Sequence, residues 1–205
     1  MRLPERLDPG FVLRAYAAGI FPMGDDRGVI RWYAPDPRAV LEHADFHRSR
    51  SLRATLRKSR YDIRVDTAFE AVMRWCAAPR AGEDGTWITE EFLRCYGVLH
   101  HYGYAHSVEA WQGDELVGGL YGVSLGGAFI GESMFSRRPD ASKVCLAALV
   151  DRLVARDYVL HDVQFLTPHL ASMGAREIPR AVYERRLRAA IALPCRFNDE
   201  RSSCG

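Results

Sequence analysis

The sequence lacks the features that are typical of membrane proteins, exported proteins and proteins stabilised by a bound metal. No apolar run reaches the roughly 18–20 residues that a membrane-spanning helix needs, and residues 1–6 contain no apolar signal-peptide core. The five cysteines are an odd number without a CxxC pair, and the seven histidines form no HExxH motif. These absences argue against a disulfide framework and a zinc site. We therefore expect a cytoplasmic protein without a membrane partner, a metal or a cofactor.

A strong net charge is also missing. With 28 basic and 26 acidic residues, the formal charge is +2, which argues against binding of nucleic acid through bulk charge. The distribution is uneven, because residues 47–60 hold six basic residues and no acidic one. If residues 50–59 form a helix, Arg50, Arg53 and Arg57 make one stripe, opposite two leucines. This stripe, with Lys58, could neutralise the phosphates of an RNA backbone, and a merely solvated face is the alternative.

Strand-like and helix-like patterns alternate along the chain. Strand patterns cover 39–41, 61–65, 106–112, 115–124, 128–134 and 159–166, and helical patterns cover 9–18, 50–59, 68–78, 146–154 and 179–191, with a further helix after Thr89. We predict an α/β fold, an α+β mixed sheet with flanking helices, in the layout of a GNAT-like acyltransferase domain. The prolines at 35 and 37 predict a boundary between a small N-terminal domain, 1–38, and the GNAT-like domain, 39–205. Residues 79–85 are expected to form a loop and 198–205 a frayed tail.

Three polar residues lie in otherwise apolar strand patterns. Glu132 interrupts the run 128–135, and Asp162 and Gln164 are two apart, so both side chains should lie on one face of their strand. Burying such groups is costly without partners. Either they form structural hydrogen bonds and salt bridges, or they make a site for an amine or a cationic substrate.

Several aromatic residues flank predicted turns, and they include Tyr16 and Trp87. Aromatic rings at such positions can stack an unpaired terminal base. They can equally form the core that joins the N-terminal residues to the rest of the chain.

Ordered blocks of sequence carry a family resemblance. They are residues 15–22, 32–40, 85–89, 106–107, 115–123, 131–137, 141–143, 162–164, 169–175 and 177–180. Over these blocks, which span residues 15–180 in order, the chain resembles the leucyl/phenylalanyl-tRNA–protein transferase family.

The resemblance implies transfer of Leu or Phe, and less well Met, from the tRNA 3′ end to proteins that begin with Arg or Lys, which marks them for degradation by the N-end rule. It implies Asp162 and Gln164 as the catalytic pair, with Glu132 in the site. The implied side-chain pocket consists of Leu120, Phe129, Met134 and Ser136. The implied tRNA contacts are Tyr16 and Trp87 at the terminal adenosine, and Arg50, Arg53, Arg57 and Lys58 under the acceptor stem.

Ester aminolysis is thermodynamically downhill, and an α-amine titrates at about pH 7.7–8.0. Strong base catalysis is therefore unnecessary. We expect the carbonyl oxygen of Gln164 to accept a hydrogen bond from the amine while Asp162 orients the amide.

Two rival functions remain open at this point. An acetyl-CoA-dependent N-acetyltransferase would use a glycine-rich loop at the start of the long helix to hold pyrophosphate. The equivalent residues 136–143 contain a proline and no glycine, which disfavours CoA. A non-catalytic tRNA-binding module would explain the arginine stripe but not the polar residues in apolar strands.

Overall fold

The computed structural model describes residues 6–25, 27–79 and 86–198. Its helices are α1 (Pro9–Ala17), α2 (Arg50–Arg57), α3 (Phe69–Ala77), α4 (Glu90–His101), α5 (Ala141–Ala155), α6 (Pro168–Ser172) and α7 (Arg180–Ile191). Its strands are β1 (Phe21–Gly24), β2 (Ile30–Tyr33), β3 (Arg38–Leu41), β4 (Asp62–Val65), β5 (Ala105–Gln112), β6 (Glu115–Leu125), β7 (Ala128–Ser136), β8 (Leu160–Gln164) and β9 (Ala175–Ile178). Most of the predicted loop 79–85 and of the tail 198–205 lies outside the described residues, as does Cys204.

Seven strands form one mixed sheet in the order β4-β5-β6-β7-β8-β3-β9. Every neighbouring pair is antiparallel except β7 and β8, which run parallel. Strands β1 and β2 form a separate antiparallel hairpin in which Phe21 pairs with Tyr33. The predicted fold class, a mixed sheet with flanking helices, is confirmed.

The helices cover both faces of the large sheet. Helices α3 and α4 pack on one face with α1 and α7, and α2 and α5 pack on the other. Alternation along β6 sends Tyr121 into the first core and its neighbour Leu120 into the second. Helix α5 can approach β6 closely because Gly118 has no side chain, and a Cβ there would lie 2.6 Å from that of Ala141. No helix among the described residues is long and apolar enough to cross a membrane.

The N-terminal residues share a core with the large sheet. Leu7, Val12, Tyr16 and Phe21 are all buried in the cluster that also contains Phe92 of α4. Asp8 caps α1, because its side chain accepts a 2.7 Å hydrogen bond from the backbone N–H of Phe11. The boundary at residue 38 stays a prediction.

Candidate active site

A cavity opens where the two parallel strands separate. Strands β7 and β8 pair only from Ala128 to Ile130, and their following residues part to enclose about 340 Å³. The lining includes residues 131–134 of β7 and residues 163–165 at the end of β8, with Leu146 and Leu149 of α5. The local geometry thus places the polar residue of each strand, Glu132 and Gln164, at one cavity.

The carboxylate of Asp162 lies beneath this cavity, fully buried. It accepts two hydrogen bonds from Arg38, 2.9 Å from Nε to Oδ1 and 2.7 Å from Nη2 to Oδ2. Tyr183 adds a third, 2.7 Å long, to Oδ2. The guanidinium of Arg38 is itself held between the rings of Phe21 and Tyr183, 4.5 and 4.6 Å from their centroids. The buried negative charge is therefore fully partnered.

The contacts of Asp162 and Gln164 agree with a shared strand face. Tyr183 of the first core donates to Asp162, and Gln164 bonds to Glu132, which Tyr16 of the same core also contacts, whereas Val163 between them packs with the second core. Gln164 lines the cavity, and the strand ends there with a φ of 65°. What links the two is the backbone, because the N–H of Gln164 donates a 2.9 Å hydrogen bond to Oδ1 of Asp162. Asp162 therefore fixes the position of Gln164 from below, through its main chain.

The side-chain amide of Gln164 is oriented by Glu132. Its Nε2 donates a 2.9 Å hydrogen bond to Oε1 of Glu132. Since the amide nitrogen is engaged in this way, the carbonyl oxygen has no hydrogen-bond donor among the described residues. An acceptor oxygen is thus presented beside a carboxylate at the cavity.

Two tyrosines hold Glu132 from the opposite side. Tyr16 donates a 2.7 Å hydrogen bond to Oε1, Tyr96 donates a 3.4 Å bond to Oε2, and the two hydroxyls also contact each other. Burial raises the pKa of Glu132 to about 8; the nearby charge of Asp162 acts in the same direction, and the hydrogen bond from Tyr16 opposes it. Burial also raises the pKa of both tyrosines well above 10, so they remain hydrogen-bond donors.

One wall of the cavity is apolar. Leu120, Met134, Leu146, Leu149 and Leu170 line it together with His161. Burial lowers the pKa of His161 to about 3, so this ring is neutral at physiological pH.

Two residues expected in this pocket lie outside it. Phe129 is fully buried behind the wall, edge-on to His161 with ring centroids 5.9 Å apart. Ser136 is exposed at the end of β7, where its Oγ accepts a 3.2 Å hydrogen bond from the N–H of Ser142 at the start of α5. Ser136 is the last residue of β7 and lies beyond the residues 131–134 that line the cavity.

The two aromatic residues expected at a terminal adenosine are separated. Trp87 lines the cavity and packs edge-on against Phe92, with ring centroids 5.3 Å apart. Tyr16 is only 1% exposed, and its hydroxyl is committed to Glu132. It therefore has no free face on which a base could stack.

The basic residues of the second helix are exposed to solvent. Arg50, Arg53, Arg57 and Lys58 all have exposed side chains, while Leu52 is buried beneath them. None of the four forms an ion pair within the described part of the chain. Arg48 differs, because Asp151 of α5 pairs with it. The helix begins where the Oγ of Ser49 caps the N–H of Leu52 at 3.2 Å.

A cluster of metal-ligand types lies away from this cavity, where no metal site was expected. Ligand atoms of Asp66, His100 and His106 lie within 4.8 Å of one another. Both ring nitrogens of His106 already face hydrogen-bond acceptors, Oδ2 of Asp66 at 2.7 Å and the carbonyl of Gly103 at 3.0 Å. These hydrogen bonds tie the start of β5 to the residue after β4 and to the turn after α4, which is a structural role.

Arg38, Tyr96 and Tyr183 are site residues that sequence reasoning missed. Their partners are 21 to 124 residues away along the chain. The one local signal was a charged Arg38 at the start of a strand that is otherwise apolar and buried.

Comparison with known families identifies the chain. The family model described as leucyl/phenylalanyl-tRNA protein transferase matches residues 40–188, and the model of that enzyme's N-terminal domain matches residues 5–36. The leucyl/phenylalanyl-tRNA–protein transferase of Herpetosiphon aurantiacus is 52% identical over 196 residues, which cover 95% of this chain and all of the relative. That of Rubrobacter xylanophilus is 54% identical over 193 residues, 94% of this chain and 99% of the relative.

A solved structure of a GCN5-related N-acetyltransferase-like protein from Streptococcus suis overlaps with 82% of this chain and 63% of its own, at 17% identity and a TM-score of 0.37. The family assignment comes from the sequence relatives. Their coverage and identity confirm the resemblance carried by the ordered blocks, and the chain belongs to the leucyl/phenylalanyl-tRNA–protein transferase family, as an aminoacyltransferase that acts between aminoacyl-tRNA and protein.

Proposed function

We propose that this enzyme transfers leucine or phenylalanine from its tRNA to the N-terminal α-amine of proteins that begin with Arg or Lys, in the cytoplasm, and so marks them for degradation by the N-end rule. The observation that carries the proposal is the pair of Gln164 and Glu132 beside an apolar cavity. The relatives are leucyl/phenylalanyl-tRNA–protein transferases, which indicates the donor, and the family resemblance implies the acceptor residues and the fate of the product.

In the reaction, the amine nitrogen attacks the ester carbonyl carbon. The C–N bond forms, the bond to the ribose 3′ oxygen breaks, and one proton moves from nitrogen to that oxygen. The carbonyl oxygen of Gln164 accepts a hydrogen bond from the amine and orients its lone pair. Holding amine and ester in attack geometry can lower the barrier by about 7–11 kcal/mol, so positioning is the largest contribution.

Glu132 is the group that carries the proton. Burial raises its pKa to about 8, toward the range of an α-amine, about 7.7–8.0, which makes it a better proton acceptor than an ordinary glutamate. The carboxylate accepts the proton from the attacking nitrogen and returns it to the departing 3′ oxygen. The proposal therefore gives Glu132 a direct part in the reaction.

Asp162 acts in this proposal as a positioning residue. It is fully buried, and its contact with the site is the 2.9 Å hydrogen bond from the backbone of Gln164. Arg38 and Tyr183 hold the carboxylate in place through their hydrogen bonds. This supports an orienting role for Asp162 rather than proton transfer.

The apolar wall receives the side chain of the transferred amino acid. Leu120 and Met134, with the α5 leucines Leu146 and Leu149, offer a surface suited to leucine or phenylalanine. Phe129 supports this wall from behind, and Ser136 has no part in it.

The exposed residues of α2 bind the acceptor stem. Arg50, Arg53, Arg57 and Lys58 present positive charge without neighbouring acids, which suits a phosphate backbone. Helix α2 packs on α5, and Thr55 of α2 contacts Asp140 at the start of α5. Helix α2, which bears the basic face, thus packs on α5, and α5 also supplies part of the cavity lining.

One assay tests the proposed function against its rivals. The protein is incubated with leucyl-tRNA, acetyl-CoA and a peptide that begins with Arg, and the peptide mass is measured. A leucyl increment is expected. An acetyl increment would identify an acetyltransferase, and an unchanged mass a binding module, and either would overturn the proposal. A peptide of the same sequence with an acetylated N-terminus is the control, and it should gain nothing.

A further inference from the structure

An exposed aromatic ring stands next to the proposed amine-binding residue. Phe165 follows Gln164 directly, lines the cavity and is 42% exposed, although it is a large apolar side chain. Leu166, beside it, is 36% exposed. Adjacent exposed apolar side chains at the mouth of a site are typical of a surface that a ligand covers.

The ring of Phe165 is held in place on one side. It meets Phe21 and Tyr33 edge-on, with centroid distances of 5.5 and 6.2 Å. A 2.8 Å hydrogen bond from its own N–H to the carbonyl of Val163 fixes its backbone. Because the ring is already ordered, a ligand that stacks on it loses little additional side-chain entropy.

Of the two residues expected to contact the terminal adenosine, Tyr16 and Trp87, only one is available to stack a base. Tyr16 is buried and bonded to Glu132, so only Trp87 of that pair lines the cavity. The loop that carries Trp87 lies against the end of β1, where a Cβ on Gly24 would come within 2.7 Å of the carbonyl of Trp87. Phe165 packs on Phe21 of the same strand. The backbone at Trp87 and the ring of Phe165 therefore both lie against β1, while the ring of Trp87 packs on Phe92 of α4.

We propose that Phe165, together with Trp87, stacks the terminal adenine of the tRNA and so positions the 3′ ester at Gln164. The inference rests on the proposed function. Consecutive Cα atoms lie about 3.8 Å apart, and the adenine is joined to the reacting ester through a single ribose. A ring that follows Gln164 in the chain is therefore placed to reach the base when the ester lies at Gln164.

The charge of the cavity favours a base over the other candidate, the side chain of an N-terminal Arg or Lys. A cationic side chain is best bound by an aromatic face with a carboxylate near it. Among the described residues that line the cavity, Glu132 is the only carboxylate, and its two oxygens already accept bonds from Tyr16, Tyr96 and Gln164. A neutral aromatic base needs no such partner.

The test measures binding of two small donor analogues. In the first, phenylalanine is joined by a stable amide to 3′-amino-3′-deoxyadenosine, and in the second hydrogen replaces adenine. Phe165→Leu should weaken binding of the first about tenfold, within the range that base stacking contributes. It should leave the second analogue and the KM of the Arg-initiated peptide unchanged. Phe165→Trp should bind the first analogue at least as well as the unaltered protein, and Tyr102→Leu, at a 71% exposed aromatic residue, is the control.

Three outcomes would overturn the inference. If Phe165→Leu weakened binding of both analogues equally, the ring would contact the aminoacyl part of the donor. If only the KM of the peptide rose, the ring would bind the acceptor. If neither analogue binding nor the peptide KM changed, the ring would bind neither substrate. If Phe165→Leu lowers the unfolding temperature of the protein, the binding of the first analogue by Phe165→Trp serves as the test instead. Failure of the unaltered protein to transfer leucine would instead refute the proposed function.

Discussion

At the scale of single residues, the site depends on how each polar group is partnered. Gln164 has little proton affinity of its own. Its amide nitrogen donates a hydrogen bond to Glu132, which leaves the carbonyl oxygen available as an acceptor. Glu132 is bordered by two neutral tyrosines, and burial raises its pKa to about 8. The pair therefore combines an orienting acceptor with a carboxylate whose proton affinity is raised toward that of the substrate amine.

The raised pKa of Glu132 leads to a prediction for the pH dependence of transfer. A carboxyl group with a folded-state pKa of about 8 is protonated below that pH and accepts a proton only above it. The attacking amine must also be neutral, so two groups must lose protons. Single-turnover rates should fall below pH 7 with a log–log slope approaching two, and Glu132→Gln should be slower with a slope of one.

The control for this experiment is Glu177→Gln, which alters an exposed glutamate of β9. It should keep the wild-type slope. A slope near two in Glu132→Gln would mean that the second ionisation belongs to another group, and the proton-carrier role of Glu132 would be lost.

At the scale of elements, sequence patterns predicted the long strands and helices well. Strands β5, β6 and β7 were anticipated because their alternation and the turns between them are local signals. Strands β1, β2 and β9, of four residues each, were missed, whereas β3 and β4, which are equally short, were predicted. Short strands of this kind are determined by their partners rather than by their own periodicity.

The same limit applies to the site. Glu132, Asp162 and Gln164 were identifiable because polar residues are unexpected in apolar strands. The hydrogen bond that joins Gln164 to Glu132 was not, because the two residues are 32 positions apart in the chain. Arg38 was missed for the same reason, since its ion pair with Asp162 joins residues 124 positions apart.

Helix α2 allows a prediction about tRNA binding. Arg57 is exposed and lies on the basic stripe. If it contacts a phosphate, Arg57→Ala should weaken binding of leucyl-tRNA and reduce the slope of log affinity against log salt by about one. The matched control is Arg188→Ala, an exposed arginine of α7. An unchanged salt slope in Arg57→Ala, or an equal change in Arg188→Ala, would remove α2 from the interface.

At the scale of the whole molecule, the N-terminal residues and the sheet are joined through the same groups that support the site. Arg38 donates a 3.1 Å hydrogen bond to the carbonyl of Gly19, just after α1, while its other nitrogens hold Asp162. Tyr16 of α1 reaches Glu132. The N-terminal residues and the site are thus coupled through shared contacts.

This coupling predicts a large stability cost at Arg38. Arg38→Met would leave the carboxylate of Asp162 buried without its charge partner, which costs about 3–5 kcal/mol in the free energy of unfolding. Arg176→Met removes a comparable pair with Glu42, but that arginine side chain is 56% exposed, and exposed pairs contribute about 0–1 kcal/mol. Denaturant unfolding would measure both.

A second substitution separates charge from packing in that experiment. Adding Asp162→Asn to Arg38→Met removes the uncompensated charge, so part of the lost stability should return. Equal costs for Arg38→Met and Arg176→Met, or no recovery in the double variant, would contradict this account of the buried pair.

The central claim is that Gln164 acts in turnover rather than in binding, and single-turnover transfer of leucine from bound leucyl-tRNA to an Arg-initiated peptide tests it most directly. Gln164→Ala should lower the transfer rate at saturating peptide about 100-fold, within the range of a positioned hydrogen-bonding group, with leucyl-tRNA affinity unchanged. Gln112→Ala, at an exposed glutamine of β5, should transfer at the normal rate. A Gln164→Ala variant that transfers leucine as fast as the unaltered protein would contradict the claim.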